Sequence, residues 1–290
     1  MTKNKATVER LSMRIAIMGE PGSYSDEALA AYAQAHGLDL EGVSCRGFRA
    51  AMDAVASGDA DEAFLPLENS LQGTVAESLE AILASDLHIV GEHRHKIVHC
   101  LIGQPDAELG DIKEAFSHEQ AIRQCRDFLD AHGIRGHHGR DTAGSLQDVK
   151  ARGSKTEAGI AGQRAAELTG MKILREGIQS REHNFTRFVH VSAKEHDRSG
   201  DPAEAKYLTT LMFTTRHRPG ALHACLGVFA DRGINLSKLE SRPRLDKPWS
   251  YIFLVDLDGH REDEAVKDAL SALLVQSASV RVLGSYPASA

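Results

Sequence analysis

The sequence predicts an α/β chain in two parts: a larger part in which short apolar strands alternate with helices, then a smaller part with the order βαββαβ. Three observations carry this. Strands of buried type, such as Met13 to Met18 and Ala63 to Leu67, each run into a polar or glycine-marked turn and then a helix. Ala193 to Ala205, rich in Lys, Glu, Asp, Gly and Pro and without apolar period, interrupts the pattern as a linker would. A chain of 290 residues with 42% hydrophobic and 26% charged residues has the length for two domains and a globular composition.

The elements follow in order. Met1 to Ser12 is polar and mixed in charge, unlike the apolar core of a signal peptide, and reads as a disordered lead with Met13 as an alternative start. After the first strand, Gly22-Ser23-Tyr24-Ser25 opens an alanine-rich helix to about Ala35, and its serines can cap the open N–H groups where an anion would also sit. A strand near Val43, a helix over Phe48 to Ser57 and the strand Ala63 to Leu67 come next. That strand exits into Glu68-Asn69-Ser70 and Gln72-Gly73 before a helix over Thr74 to Ala84, and polar residues at such exits are where open sheets place ligands. Leu87 to Ile102 reads as extended. Ser117 opens a helix to Gly133 as its N-cap, with Gln120 at the capping-box position. Asp141 caps the next helix, Ala158 to Ala161 is a small-residue strand, Gln163 to Thr169 a helix, and Ile178 to Ser192 is extended. Beyond the linker come strand Tyr207 to Thr215, helix Ala221 to Ala230, strand Ile234 to Arg242, strand Tyr251 to Leu257, helix Glu262 to Gln276 and strand Val280 to Gly284, the ferredoxin-like split unit. The implied boundaries are 1–12 lead, 13–192 first domain, 193–206 linker and 207–286 second domain.

Composition excludes several classes. A net charge of −7 argues against a nucleic-acid partner. No apolar run approaches the roughly 20 residues a membrane span needs. Cys45, Cys100, Cys125 and Cys225 form no Cys-x-x-Cys pair and read as reduced thiols of a cytoplasmic protein. Alternation aligns His93, His95 and His99, yet no second cluster stands in zinc register, so no metal is expected. No glycine fingerprint for a dinucleotide is present, and no cofactor is expected.

The segment Asn184-Phe185-Thr186-Arg187-Phe188 interleaves an amide, a hydroxyl and a guanidinium with two aromatic rings. Alternation puts Asn184, Thr186 and Phe188 on one face, Phe185 and Arg187 on the other. Two readings stay open for it alone: an edge strand with ordinary surface polars, or a strand end opening into a ligand cleft.

Taken with Glu68-Asn69-Ser70 and Gly73, Ser117-His118-x-Gln120 with Gln124-Cys125, and Asp141-Thr142-Ala143, that segment resembles the prephenate dehydratase family. The second part resembles a phenylalanine-sensing ACT domain through Arg218-Pro219-Gly220-Ala221-Leu222 and Glu240-Ser241-Arg242-Pro243. The resemblance spans Met13 to about Tyr286. It implies a first domain of two α/β lobes around a cleft, like a periplasmic-type binding protein. It also implies conversion of prephenate to phenylpyruvate, carbon dioxide and water on the way to phenylalanine. Aromatisation drives that reaction, so the demands on the protein are to help the ring hydroxyl depart and to seat two carboxylates.

On this resemblance Thr186 matches the essential threonine and contacts the leaving hydroxyl, with Glu68 or His118 supplying the proton. Asn69, Ser70, Ser117, Gln124, Asn184 and Phe188 are expected to contact substrate. Arg187 is a candidate for the pyruvyl carboxylate, since a guanidinium matches it bidentately, with the N–H groups near Ser23 and Ser25 as the alternative anchor. Neither should clamp the ring carboxylate, whose charge vanishes in the transition state. The family binds phenylalanine between ACT domains of different subunits, here through Gly220, Ala221, Leu222, Asn235, Glu240, Ser241, Arg242 and Pro243, which implies feedback inhibition and a homodimer or homotetramer. His223 stands where valine is expected, which touches the details of that pocket. Arogenate dehydratase, a solute-binding protein without catalysis and a sensor with a decayed enzyme half are the alternatives. The missing export signal and the intact motif set weigh against the last two.

Overall fold

The computed structural model describes residues 12–198, 206–244 and 250–289, so the lead up to residue 11 and linker residues 199–205 lie outside it. The chain divides into two units, one of residues up to Ala81 with His95–Arg187, the other of Ile82–Arg94 with Phe188–Ala290.

In the first unit, β1 (Met13–Met18), α1 (Tyr24–His36), β2 (Leu40–Cys45), α2 (Phe48–Ser57) and β3 (Glu62–Asn69) wind as parallel βαβ units with sheet order β2-β1-β3. Ile15, Ile17, Phe64 and Leu65 are almost fully buried, as strands covered on both faces must be. Ser23 caps α1 by accepting from the Asp26 N–H at 3.3 Å, and Gly37 at φ 62° ends it. At its end β3 turns back through β4 (Gly73–Thr74), with Asn69 opposite Gly73, and enters α3 (Ala76–Leu83). β5 (His88–Lys96) leads to a second sheet.

That sheet holds β6 (Cys100–Gly103), β7 (Glu114–Ser117), β8 (Arg135–His138), β9 (Glu157–Ala161) and β10 (Lys172–Arg175) in the order β10-β6-β9-β7-β8. Its helices are α4 (Glu119–Gln124), α5 (Arg126–Ala131), α6 (Thr142–Arg152) and α7 (Gln163–Thr169). Asp141 caps α6, accepting from Gly144 N–H at 2.6 Å. Two expectations are corrected here. The segment read as one helix from Ser117 to Gly133 is α4 and α5, interrupted at Cys125, and its N-cap is His118, whose ring accepts from Gln120 N–H at 3.3 Å. Ser117 instead ends β7, fully buried, and donates to the Ile160 carbonyl at 2.6 Å.

β11 (Phe185–Ser192) starts in the first unit and continues in the second. There β12 (Tyr207–Thr215), α8 (Ala221–Ala230), β13 (Leu236–Pro243), β14 (Tyr251–Asp258), α9 (Glu264–Gln276) and β15 (Ser277–Pro287) form the expected βαββαβ unit, an antiparallel sheet of order β13-β14-β12-β15. Leu211, Phe213, Phe229, Val255, Leu257 and Leu273 fill the core beneath its helices. On β15, Arg281 donates to the Leu83 carbonyl at 2.9 Å, an acceptor that the end of α3 leaves open, and to the Ser85 carbonyl just beyond the helix.

Candidate active site

The end of β3 and the start of β11 come together in the first unit. Ser70 N–H donates to the Phe185 carbonyl at 2.8 Å, and Ile97 N–H to the Asn184 carbonyl at 2.8 Å. The Ser70 hydroxyl donates to the His183 carbonyl at 3.0 Å and accepts from Phe185 N–H at 2.9 Å. Ser70 therefore holds the frame of the wall, where a substrate contact was expected.

On this frame the side chains pair face by face. Asn69 Nδ2 donates to Asn184 Oδ1 at 2.8 Å and to Thr186 Oγ1 at 3.1 Å, with the Phe185 carbonyl also within 3.2 Å. Asn184 is fully buried and Thr186 is 8% exposed. Arg187 is instead paired with Glu68, 4.0 Å away. Alternation thus separates Asn69 and Thr186 from Glu68 and Arg187. Phe188 is buried at 1% exposure and belongs to the second unit.

Which way each amide points is decided by the backbone. Leu71 N–H donates to Asn69 Oδ1 at 3.0 Å, so the other end of that amide is the NH2 group. Thr186 Oγ1 consequently accepts from Asn69, and its own hydrogen is directed elsewhere. A hydroxyl whose lone pair is engaged this way is a donor.

The network runs on from Asn184. Its Nδ2 donates to Gln124 Oε1 at 3.0 Å, and the same oxygen lies 2.6 Å from His99 Nε2. His99 Nδ1 lies 2.5 Å from the Tyr24 hydroxyl. Burial pushes the His99 imidazole below the usual histidine range, against the opposing effects of the Gln124 hydrogen bond and Glu27. Burial likewise raises the Tyr24 phenol, so both are neutral near pH 7. The neighbouring thiols are inert. Burial pushes Cys100 up to about 12 and Cys125 higher still.

Gln124 also lines a cleft of about 290 Å³ with Leu71, Gln72, Gln120, Arg123, Gln179, Ser180 and Arg181. With its oxygen taken twice, Gln124 has its NH2 group left for the cleft, which Arg123 and Arg181 also line. Tyr24, His99, Arg123 and Arg181 were not singled out in the sequence. His99 stood there only within a row of histidines, and its contact with Tyr24 spans 75 positions, beyond any local pattern. His118 is exposed, and the one described bond of its side chain is the cap. Ser23 likewise serves as a cap, and Ser25 is buried at 6%. Among the described residues no cluster of His, Cys, Asp or Glu suits a metal.

In the second unit, Gly220 at φ 75° precedes α8, Ala221 is buried, and Leu222 packs against the core. Asn235 Nδ2 donates to Asp258 Oδ2 at 2.9 Å. Arg242 Nε lies 2.8 Å from Glu240, while Ser241 and Pro243 are exposed on β13.

The family model for prephenate dehydratase matches residues 15–196, and that for the ACT domain matches residues 209–275. An Arabidopsis thaliana protein, arogenate dehydratase/prephenate dehydratase 1, is 37% identical over 95% of this chain and 72% of its own length. A Komagataeibacter europaeus protein named bifunctional N-acyl-homoserine lactone acylase/prephenate dehydratase is 36% identical over 95% of this chain and 96% of its own. The crystal structure of an Arthrobacter aurescens prephenate dehydratase in complex with L-Phe superposes with a TM-score of 0.84 at 34% identity, covering 94% of this chain and 90% of that one. A wall of Asn69, Asn184 and Thr186 in a two-sheet α/β domain, followed by a βαββαβ unit and matched along its length in these ways, makes this chain an enzyme of the prephenate dehydratase family with a C-terminal ACT domain.

Proposed function

We propose that the chain converts prephenate to phenylpyruvate, carbon dioxide and water at the Asn69–Thr186 wall. The observation that carries this is the bond from Asn69 Nδ2 to Thr186 Oγ1, which leaves the threonine hydrogen to be donated. In the reaction the bond from the ring to its carboxylate breaks, its electrons close the aromatic sextet, and the C–O bond at the opposite ring carbon breaks, its oxygen taking up one proton from solvent to leave as water. Negative charge grows on that oxygen, and a donor already aimed at it needs no reorganisation as the bond stretches. Gln124 NH2 and Arg181 suit the pyruvyl carboxylate, whereas Arg123 is paired with Glu119 at 3.7 Å and Arg187 with Glu68 at 4.0 Å. A domain of residues 13–192 does this chemistry, joined by a linker over 193–206 to an ACT domain of 207–286.

L-phenylalanine is the proposed inhibitor, bound by Asn235 and by the Glu240 to Pro243 strand end. The L-Phe complex of the Arthrobacter aurescens protein supports the ligand. Leu239 and Tyr251, each 47% exposed on or beside the outer strand β13, support a homodimer or homotetramer in which a second copy completes the site. No helix among the described residues is long and apolar enough to cross a membrane, and unpaired cysteines fit a reducing cytoplasm.

Arogenate is the second reading, favoured by the name of the Arabidopsis relative. Phenylpyruvate absorbs in the ultraviolet, so purified protein given prephenate, arogenate or an N-acyl-homoserine lactone separates the readings, with phenylalanine measured for arogenate and free acid for the lactone. The reading is upheld by phenylpyruvate from prephenate at the highest kcat/KM of the three. It is lost if folded protein leaves prephenate at its spontaneous rate.

A further inference from the structure

The contacts at the far end of the network fix one arrangement of hydrogens, and it can be followed from a single backbone group. Leu71 N–H sets the Asn69 amide. Asn69 Nδ2 then makes the facing atom of Asn184 its oxygen, so Asn184 presents NH2 to Gln124, and the facing atom of Gln124 is its oxygen. A carbonyl oxygen cannot donate, so His99 Nε2, 2.6 Å away, must carry the hydrogen. In the neutral ring Nδ1 is then the acceptor, and the Tyr24 hydroxyl at 2.5 Å is its donor. The other acceptor within reach of that hydroxyl, the Val98 carbonyl, is at 3.4 Å. His99 itself is tied down, its backbone N–H donating to Gln179 at 2.9 Å and its carbonyl accepting from Ile178 N–H at 3.0 Å. Two side chains that the proposed chemistry leaves unused are thus wired to the wall.

We propose that Tyr24 and His99 form a positioning dyad: the Tyr24 hydroxyl selects the His99 tautomer that donates to Gln124, and this holds the Gln124 NH2 group toward the substrate carboxylate. The dyad moves no proton to the substrate. Three amides stand between His99 and Thr186, and amides pass on orientation but do not relay protons at neutral pH. Its contribution is to remove the competing arrangement. If the proton moved to Nδ1, Nε2 would become an acceptor facing the Gln124 oxygen. Gln124 would then turn its NH2 to the ring, meet the Asn184 NH2, and withdraw its donor from the cleft. The side chains between His99 and Thr186 are all amides and the Leu71 N–H fixes the Asn69 end, so Tyr24 and His99 are where the Gln124 end can be switched without changing the shape of the network.

The proposal rests on the prephenate reading for its kinetic arm alone. Its test is a double-mutant cycle of Tyr24→Phe and His99→Gln with prephenate, since a glutamine at 99 can donate to Gln124 and has no ring tautomer to choose. Tyr24→Phe in the native background is expected to lower kcat/KM about tenfold, with KM rising because Gln124 no longer faces the carboxylate. His99→Leu, which has no donor, is expected to lose about 10²-fold, and His99→Gln to recover most of that loss. In the His99→Gln background Tyr24→Phe is expected to change nothing further. A Tyr24→Phe cost that is equal in both backgrounds would mean that the phenol only packs, and the proposal would be overturned. The second arm is nitrogen-15 NMR of the histidine rings in resting protein, with His99 assigned by its loss in His99→Gln. The Nε2–H tautomer is expected in the native chain and a mixture in Tyr24→Phe, and an Nδ1–H ring in the native chain would overturn the dyad. That arm needs no turnover, so a protein inert toward prephenate but with the expected tautomer would refute the functional reading and leave the dyad standing.

Discussion

The wall in the first unit and the outer strand β13 in the second unit are both polar strand ends, and they are built in opposite ways. Asn69, Asn184, Gln124, His99 and Tyr24 satisfy one another on one chain, with Asn184 fully buried and His99 3% exposed. On β13 the alternate residues Leu239, Ser241 and Pro243 face outward from a strand that stands last in its sheet, with hydrogen-bonding capacity and apolar surface uncovered. A donor set for a transition state gains from being fixed before the substrate arrives. A regulatory site gains from being completed only by ligand and second subunit, because coupling needs states that differ in what they bind. The comparison teaches that the first region fails by losing one bond, the second by blocking one surface.

The largest expected effect follows from the first kind of failure. Thr186→Ala removes the aimed donor and should lower kcat by about 10²- to 10⁴-fold, with the circular dichroism spectrum and melting temperature little changed. Ordinary turnover in the folded variant would take Thr186 out of the mechanism. Asn69→Ala is next: it frees the Thr186 hydroxyl to rotate and strips the buried Asn184 oxygen of its donor. A loss of about 10²-fold in kcat and about 1–3 kcal/mol of stability is expected, read by assay and by urea unfolding of the same samples. Glu68→Gln sharpens the division between faces. If Glu68 serves Arg187, the loss is about tenfold or less; a loss as deep as that of Thr186→Ala would make Glu68 the acid.

The second kind of failure should be silent until ligand is added. Ser241→Arg places a long cation on the outward face of β13 and is expected to abolish both inhibition by phenylalanine and the rise in melting temperature that binding brings, about 2.7 kcal/mol of stabilisation at 100 times Kd. Inhibition that persists in the variant would move the ligand site off this strand.

The two regions also differ in how much of them could be read from residues alone. The bounds of α2, α7, β12 and α8 coincide with the sequence reading, because long amphipathic or apolar runs with glycine or proline at their ends carry a local signal. β7, β8 and β10 were not foreseen. Each has four residues, and β8, Arg-Gly-His-His, has no apolar side chain; it takes its place because Gly136 lets Ile122 pack onto it, where a Cβ would come within 2.6 Å. At the wall, alternation was enough to set Thr186 and Arg187 on opposite faces. The roles of the serines were not legible. Ser117 and Ser70 belong to a motif, yet their hydroxyls bond backbone 43 and 113 positions away. Only tertiary structure decides whether a hydroxyl is spent on the frame or left for a ligand.

The smallest expected effect is one that both regions share, and it is on stability. His99 in the first unit and His260 in the second each lie below the usual histidine range, burial being the larger cause in both, with Arg198 second at His260. A histidine lowered on folding binds fewer protons in the native state than in the unfolded one, so stability rises with pH across the interval between the two values. The stabilisation is present above about pH 6.5, where the unfolded histidine gives up its proton, and is lost as pH falls toward the folded value. Urea unfolding at pH 7.5, 6.5, 5.5 and 5.0 should therefore show a falling midpoint only over the acid part of the series. His99→Gln should flatten part of that slope, by no more than about 1.4 kcal/mol per pH unit for one proton. His260→Gln should flatten another part without touching kcat/KM, because its ring accepts from the Glu262 N–H at 3.2 Å before α9 and has no bond to the wall. If the slope is unchanged in His99→Gln, the imidazole is not held neutral in the native state, and Nδ1 is not the acceptor that the Tyr24 hydroxyl needs.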